Sequence, residues 1–364
     1  MSRILPFLIV LLVGSVVHAA DLPAEIKNDL TANAKALSPL SINWKQEIRP
    51  LVAEGEAAEC FKLPNPLPPE YLTPRRCELS FSGTKIRSSV YTPLWGLCEQ
   101  SFDGDILFIG NHDNRGEAGP DDAQPTLSKN RIEDFADEHP NDKWITMDYF
   151  ATTGFWFPQT SLELSQRVPA ESAVLKLLFA NGKIVSISKS DADGLIRILI
   201  EAPDPTQQRF AKVDLKAVEA DLRNGLNSDE HIQRELEALK RLQALPHNKR
   251  FAFYLDPAKR HAVVRYQELT QNDEVLLDAR HDKFEKIEGR DLWLSRRSLI
   301  NYHTWVSIAG IALKDPVLQQ VIEVSSIQPP AADFGFSLDY QNVPGATIYD
   351  NTGEKPTTTR VPGR

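Results

Sequence analysis

Between Arg250 and Ser307 the apolar residues alternate with polar ones in short runs, and only tight turns separate the runs. Phe251, Phe253 and Leu255 alternate, Asp256-Pro257-Ala258-Lys259 turns the chain into His261–Leu269, and Gln271-Asn272-Asp273 leads to Val275–Ala279. Phe284–Ile287, a Glu288-Gly289-Arg290 turn and Leu292-Trp293-Leu294 continue the series. Turns this short can only reverse a strand, because a parallel partner needs a crossover of about a dozen residues or more. The stretch predicts an antiparallel meander.

The same period of two recurs on both sides of it. Ser41–Ile48 reads as a strand around Ile42 and Trp44. Glu78–Phe81 and Lys85–Tyr91 flank Ser82-Gly83-Thr84, and Glu99–Phe102 and Asp105–Ile109 flank Asp103-Gly104, a dipeptide suited to a tight hairpin turn. Lys183–Lys189 and Leu195–Glu201 flank Asp191-Ala192-Asp193-Gly194, and Val317–Ile327 and Phe334–Tyr340 predict the last strands.

Helical spacing appears in three places. Ile26, Leu30, Ala34 and Leu37 predict a first helix stopped by Ser38-Pro39, and Pro169–Ala180 predicts a second. Val213–Leu245 carries two stripes, Leu215/Val218/Leu222 and Ile232/Leu236/Leu239/Leu242, broken at Gly225–Ser228; Asn227 with Glu230 resembles a capping box, so an αα-hairpin inserted into the sheet is predicted. Residues 110–143 change to Asn, Asp, Gly and Pro, which predicts a long surface excursion with a short helix at Arg131–Glu138. The tail, residues 353–364, is predicted to be flexible. The fold class is therefore α+β: one domain over residues 21–352, built on a large curved antiparallel sheet of about ten to twelve strands with helices on its concave side.

Composition narrows the setting. In 364 residues, 41% hydrophobic and 25% charged content is that of a globular protein, and a net charge of -9 argues against a general nucleic-acid partner. Residues 1–20 read as a signal peptide, with Arg3, an apolar Ile4–Val13 and small residues at Val17-His18-Ala19 setting cleavage near Ala19/Ala20. That apolar run is shorter than the roughly 20 residues a membrane span takes, so a soluble exported chain is expected, with no transmembrane segment. In an oxidising compartment the three cysteines, Cys60, Cys77 and Cys98, predict one disulfide and one free thiol. Cys60–Cys77 would clasp the proline-rich loop Pro64–Pro74, for roughly 3 kcal/mol in the chain-entropy model, although spacing alone leaves the pairing open.

Catalytic motifs are thin. Ile109-Gly110-Asn111-His112-Asp113 looks like the Gly-Asn-His-Asp box of metallophosphoesterases, in which His and Asn serve a two-metal site. That family also needs further His and Asp motifs; no histidine lies between the signal peptide and His112, and Gly104-Asp105 lacks the second Asp. His139, His231, His247, His261, His281 and His303 are scattered, with neither the i, i+4 nor the His-x-His spacing of a zinc site. No Gly-x-Ser-x-Gly elbow, Walker loop or dinucleotide fingerprint occurs. The expectation is a non-enzyme with no cofactor and no metal; a hydrolase using His112 is the distant alternative. Aromatic residues are the remaining signal: Phe251, Phe253, Trp293 and Trp305, with Leu255, either line an apolar cavity or fill the core.

Four short motifs carry a family resemblance: Tyr254-Leu255-Asp256-Pro257, Asp291-Leu292-Trp293-Leu294, Phe336-Ser337-Leu338-Asp339-Tyr340 and Pro344-Gly345-Ala346-Thr347-Ile348-Tyr349-Asp350. Over most of residues 25–352 the chain resembles secreted bacterial proteins of the LolA-like, outer-membrane lipoprotein-sorting architecture, with Ser295 where a proline is common. The resemblance implies an incomplete antiparallel barrel (a half-barrel) with helices at its mouth and an apolar cavity that shelters acyl chains, worth about 0.8 kcal/mol per buried methylene. No individual ligand-contacting residue of the characterised carriers maps onto this chain. The implied role is a periplasmic or extracellular protein that binds a hydrophobic or lipidated ligand; an interaction or structural module with a filled core is the alternative.

Overall fold

The computed structural model describes residues 22–37, 39–53, 72–82, 85–92, 96–112, 124–131, 144–146, 161–163, 182–190, 192–203, 213–225, 228–246, 248–304, 312–331 and 334–363. In chain order these form α1 (Ala24–Leu37), β1 (Leu40–Pro50), β2 (Arg75–Ser82), β3 (Lys85–Thr92), β4 (Gly96–Phe102), β5 (Ile106–His112), β6 (Thr126–Arg131), β7 (Trp144–Thr146) and β8 (Ser161–Glu163). There follow β9 (Lys183–Lys189), β10 (Ile196–Pro203), α2 (Leu215–Asn224), α3 (Asp229–Gln243), β11 (Asn248–Asp256), β12 (Ala262–Leu269), β13 (Val275–Lys286), β14 (Trp293–Tyr302), β15 (Leu318–Gln328), β16 (Thr347–Asp350) and β17 (Thr357–Arg360).

Fifteen strands make one open sheet in the order β17-β16-β6-β5-β4-β3-β2-β1-β15-β14-β13-β12-β11-β10-β9, and β7 pairs with β8 separately. The expected α+β class stands, with more strands than the alternation alone suggested. A twisted sheet this wide has to coil, and its outermost strands, β17 and β9, do not meet, so the sheet stays an incomplete barrel. All pairings in it are antiparallel except β16 with β6, which is parallel. The expected meander is β11 to β14. Its Val275–Ala279 and Phe284–Ile287 runs join into the single strand β13, interrupted only by Lys283 at φ 52°. The first and last long strands of the body are neighbours: β1 pairs with β15 from Ser41↔Gln328 to Pro50↔Leu318.

One face of the sheet, here the inner face, carries the main core. Leu40, Ile42 and Trp44 of β1, Leu79 of β2, Val90 of β3, Ile198 of β10, Phe253 of β11, Tyr266 of β12, Ile300 of β14 and Ile322 of β15 belong to one buried cluster. In strand order it runs across nine neighbouring strands, β3 to β10 through β1 and β15. Helix α1 joins it through Ile26 and Leu30, with Leu22 just before it, as the apolar spacing predicted. Polar ties fix the helix at the turn end of the meander. Asn33 donates to the Arg260 carbonyl at 2.8 Å, and Arg290 donates to the carbonyls of Ala36 and Pro39 at 2.6 Å each.

The outer face of β4–β6 is covered by the chain beyond β15. Phe108, Leu127, Leu338, Tyr340, Ala346 and Ile348 form a second core there. Ser101 donates to the Phe336 carbonyl, and Tyr340 Oη donates to Glu99 at 3.1 Å, a carboxylate that also accepts from Arg87 at 2.9 Å.

Four expectations need correction. Phe334–Tyr340 is not a strand; its buried Leu338 and Tyr340 lie against the outer core, and its backbone satisfies Ser101. The excursion at 110–143 contains strand β6, whose Leu127 is buried in that core; the rest of Arg131–Glu138 lies outside the described residues. The tail contains the edge strand β17, paired from Thr347↔Arg360 to Asp350↔Thr357, so it is held by a hydrogen-bond ladder. The αα-hairpin forms within 213–245 as expected, but the cap of α3 is Ser228, whose Oγ accepts from His231 N at 3.2 Å; Asn227 lies outside the described residues. The 1–20 segment, the predicted Pro169–Ala180 helix and Cys60 are outside them as well.

Candidate functional site

The meander builds the inner face from β11. Phe251, Phe253 and Leu255 alternate toward the same side; Phe253 and Leu255 belong to the main core, and Phe251 packs half-buried against it. Tyr266 on β12, which the sequence pattern alone did not single out, sits between them: its ring centroid is 5.1 Å from that of Phe253 and 6.3 Å from that of Phe251. The signal for it was the period-two pattern of His261–Leu269, in which Tyr266 is an inward position opposite Phe253.

Trp293 does not join them. Leu292 and Leu294 are both in the main core, so alternation turns Trp293, between them, to the other face, where it is half-buried. Trp305 lies outside the described residues. Half-buried Leu277 of β13, Tyr302 of β14 and Ile184 and Ile187 of β9 extend the apolar inner face instead. Leu277, Tyr302 and Ile184 lie toward the end away from α1, where Lys249 Nζ donates to Glu268 Oε2 at 2.7 Å and Tyr302 Oη donates to Gln320 Oε1 at 2.8 Å, whereas Ile187 sits beside Ile198 nearer the α1 end.

A polar row crosses this face. Gln46 of β1 opposes Ile322 of β15, Ile322 opposes Ser298 of β14, and Ser298 opposes His281 of β13. His281 is 5% exposed and Gln46 4%. His281 Nδ1 is 2.9 Å from Ser298 Oγ, while His281 Nε2 and Gln46 Oε1 are buried without a hydrogen-bond partner. Burial pushes the His281 imidazole down to about 3, against an opposing influence of Asp278, so the ring is neutral near pH 7. Orphaned groups of this kind destabilise a fold by about 1–3 kcal/mol each.

The other sequence-derived chemistry resolves into packing. Gly110 of the Gly-Asn-His motif lies under Tyr340: a Cβ there would stand 2.9 Å from Tyr340 Cζ and closer still to its Oη. The glycine is required for the outer core, and His112 is the last residue of β5. Cys77 is a free thiol, and Cys60, its expected partner, lies outside the described residues. Its side chain belongs to the main core, and burial pushes its thiol up to about 12, with nearby Arg75 opposing the shift. Among the described residues no three His, Cys, Asp or Glu side chains cluster as metal ligands, and no helix is long and apolar enough to cross a membrane.

No family model matches the chain, and no curated protein matches it in sequence. Solved structures with a similar arrangement include a LolA superfamily protein from Nitrosomonas europaea, at 10% identity and TM-score 0.38, with 86% of this chain and 98% of that one covered. A DUF1329 family protein from Desulfovibrio piger matches at 9% identity and TM-score 0.36, covering 87% of this chain and 95% of that one. An outer membrane lipoprotein-sorting protein domain from Vibrio parahaemolyticus matches at 10% identity and TM-score 0.37, covering 85% and 92%. All three TM-scores lie below 0.5, and the likeness is one of overall fold alone.

Proposed function

We propose that this chain is an exported envelope protein that holds a hydrophobic or lipidated ligand on the inner face of its open sheet. The observation that carries the reading is the set of half-buried apolar side chains there. Phe251, Leu277, Tyr302 and Ile184 continue the main core toward the end away from α1. Apolar surface left part-exposed beside a finished core is surface that an acyl chain can still remove from water, at about 25 cal/mol per Å². The sequence supports export through its apolar, small-residue-terminated start at residues 1–20.

A second reading, an interaction module with a filled core, is favoured by the near-complete burial of Leu255 and Ile198. Native mass spectrometry of the mature chain purified from its own envelope, followed by lipid extraction, separates the two. A stoichiometric acyl-chain adduct, lost in a folded Phe251→Glu variant, supports the carrier. A clean apo mass together with no uptake of fluorescent fatty acid or dye sinks it and leaves the interaction module.

A further inference from the structure

We infer that the inner face carries a built-in polar anchor, Gln46 together with the Ser298–His281 pair, for the uncharged head of an acyl ester such as a monoacylglycerol. The inference rests on the carrier reading and names its ligand class.

Strand register puts the three side chains on one line. Gln46, Ile322, Ser298 and His281 oppose one another in turn across β1, β15, β14 and β13. They share a face with the main core, because Trp44 lies two residues before Gln46 and Ala279 two before His281, and both belong to it. The row is therefore a hydrogen-bonding stripe inside an apolar surface. Each end of it has a buried atom left over: Oε1 of Gln46 and Nε2 of His281.

The geometry limits what satisfies both. Three strand spacings of about 4.8 Å separate β1 from β13, roughly 14 Å from backbone to backbone, and the two side chains shorten that gap. One hydroxyl cannot reach both ends, whereas the ester and hydroxyl groups of a glycerol head are spread over several atoms. The His281–Ser298 pair adapts to either role. If Ser298 donates to Nδ1, Nε2 carries the proton and donates to an ester carbonyl; in the other tautomer Nε2 accepts from a hydroxyl. Gln46 accepts from a hydroxyl through Oε1 and turns its amide to donate instead. Arg75 opposes Gln46 on β2 at the end of the row. A carboxylate head drawn to that cation would leave His281 neutral and unmatched, so it uses only one end of the stripe.

The test measures displacement of an environment-sensitive apolar dye from the purified full chain. The competitors share one chain length and differ in head: a monoacylglycerol, the free fatty acid, and the methyl-capped alkyl ether without a hydroxyl. The expected result is a monoacylglycerol Kd at least tenfold below those of the other two at pH 7.5. Gln46→Leu and the double variant His281→Leu/Ser298→Ala should each erase that preference, bringing the monoacylglycerol Kd to that of the alkyl ether in the same variant. These variants also distinguish an anchor from a structural polar group. Removing a group with an unpartnered buried atom, or both members of the His281–Ser298 pair at once, should keep the Tm of the ligand-free chain or raise it, and removing structural groups should lower it.

Equal affinity for all three heads, or tighter binding of the fatty acid, overturns the anchor and leaves the carrier reading standing. A preference that survives both variants also overturns it. Failure of every chain to displace or bind refutes both readings.

Discussion

His261 Nδ1 stands 2.7 Å from an Asp29 carboxylate oxygen, joining helix α1 to the β11–β12 turn across 232 residues of chain. The other Asp29 oxygen accepts from Arg260 Nη2 at 3.1 Å, and Arg260 Nη1 also donates to Asp291 at 2.6 Å. To make these contacts the turn holds Arg260 and His261 at φ 53° and 56°, a left-handed conformation unfavourable for side chains of their size. The backbone strain and the ionic contacts come as one unit.

Burial alone would raise the Asp29 pKa, but the hydrogen bonds from His261 and Arg260 outweigh it and hold the carboxyl below its usual value. A depressed pKa in the folded state gives stability that is complete above the unfolded-state value and is lost as pH falls through the folded one. Stability should therefore fall with acid below about pH 4, and Asp29→Asn should flatten that part of the curve while lowering stability at pH 7 by about 1–2 kcal/mol. Urea unfolding of both proteins from pH 2.5 to 7 checks this. Parallel curves would show that Asp29 does not carry the loss of stability in acid.

Gly110 and Tyr340 are coupled by space alone. An added Cβ would meet the Tyr340 ring and also lie 3.4 Å from Leu338 Cδ1, inside a core that has no room to open. Gly110→Ala is expected to destabilise by about 1–3 kcal/mol through overpacking. Tyr340→Ala removes the obstacle, so the double variant should be less destabilised than the sum of the two single ones. Additive losses in denaturant melts would place the cause in the strand backbone instead.

The meander was legible in the sequence because both of its determinants are local. Asp256-Pro257 and Glu288-Gly289-Arg290 specify turns, and Gly289 indeed sits at φ 71°. Trp293 was misplaced because Leu292-Trp293-Leu294 is apolar at three consecutive positions, and such a run does not say which side faces the core. The pairing of β1 with β15 depends on residues nearly the whole chain apart, for which no local pattern exists. Strands β6 and β17, written TLSKNR and TTTR, lack the alternation that marks a strand and form by adding to an existing edge. The polar row was invisible for a different reason: Gln46, Ser298 and His281 lie far apart in sequence, and only the register of β1, β15, β14 and β13 brings them into one line.

Cys77 and Cys98 should differ sharply in reactivity. Cys98 is exposed, whereas Cys77 is buried with its thiol held at about 12, so almost none of it is the reactive thiolate at pH 8. Iodoacetamide at pH 8, followed by peptide mapping, should label Cys98 within minutes and Cys77 only after addition of denaturant. A Cys77 peptide recovered from the native chain as a mixed or intramolecular disulfide would contradict the free thiol.

Asp278 is the centre of charge on the outer face of the meander. It is buried, accepts from Arg265 Nε at 2.6 Å and Nη2 at 3.2 Å, and accepts from Arg280 Nε at 3.0 Å. Arg265 in turn lies over the Tyr254 ring, 5.2 Å from its centroid, and Tyr254 Oη donates to Gln267 at 2.9 Å. The two arginines are not equivalent, since the Arg265 side chain is 33% exposed and that of Arg280 61%. Arg265 approaches the carboxylate with two nitrogens in a fixed plane, which a lysine cannot reproduce. Asp278→Ala should lower stability by about 2–3 kcal/mol, as a lost set of charged hydrogen bonds does. Arg265→Lys should fall between that and Arg280→Ala, whose solvated contact is worth less than about 0.5 kcal/mol. Urea unfolding at 0.05 M and 0.5 M salt separates these contributions: the Arg280 effect should vanish with salt because that guanidinium is mostly solvated, and the Arg265 effect should persist because its less exposed guanidinium holds the same carboxylate through two nitrogens. Equal losses for the two arginines would mean that the carboxylate is held by charge alone and that the Tyr254–Arg265 stack contributes nothing.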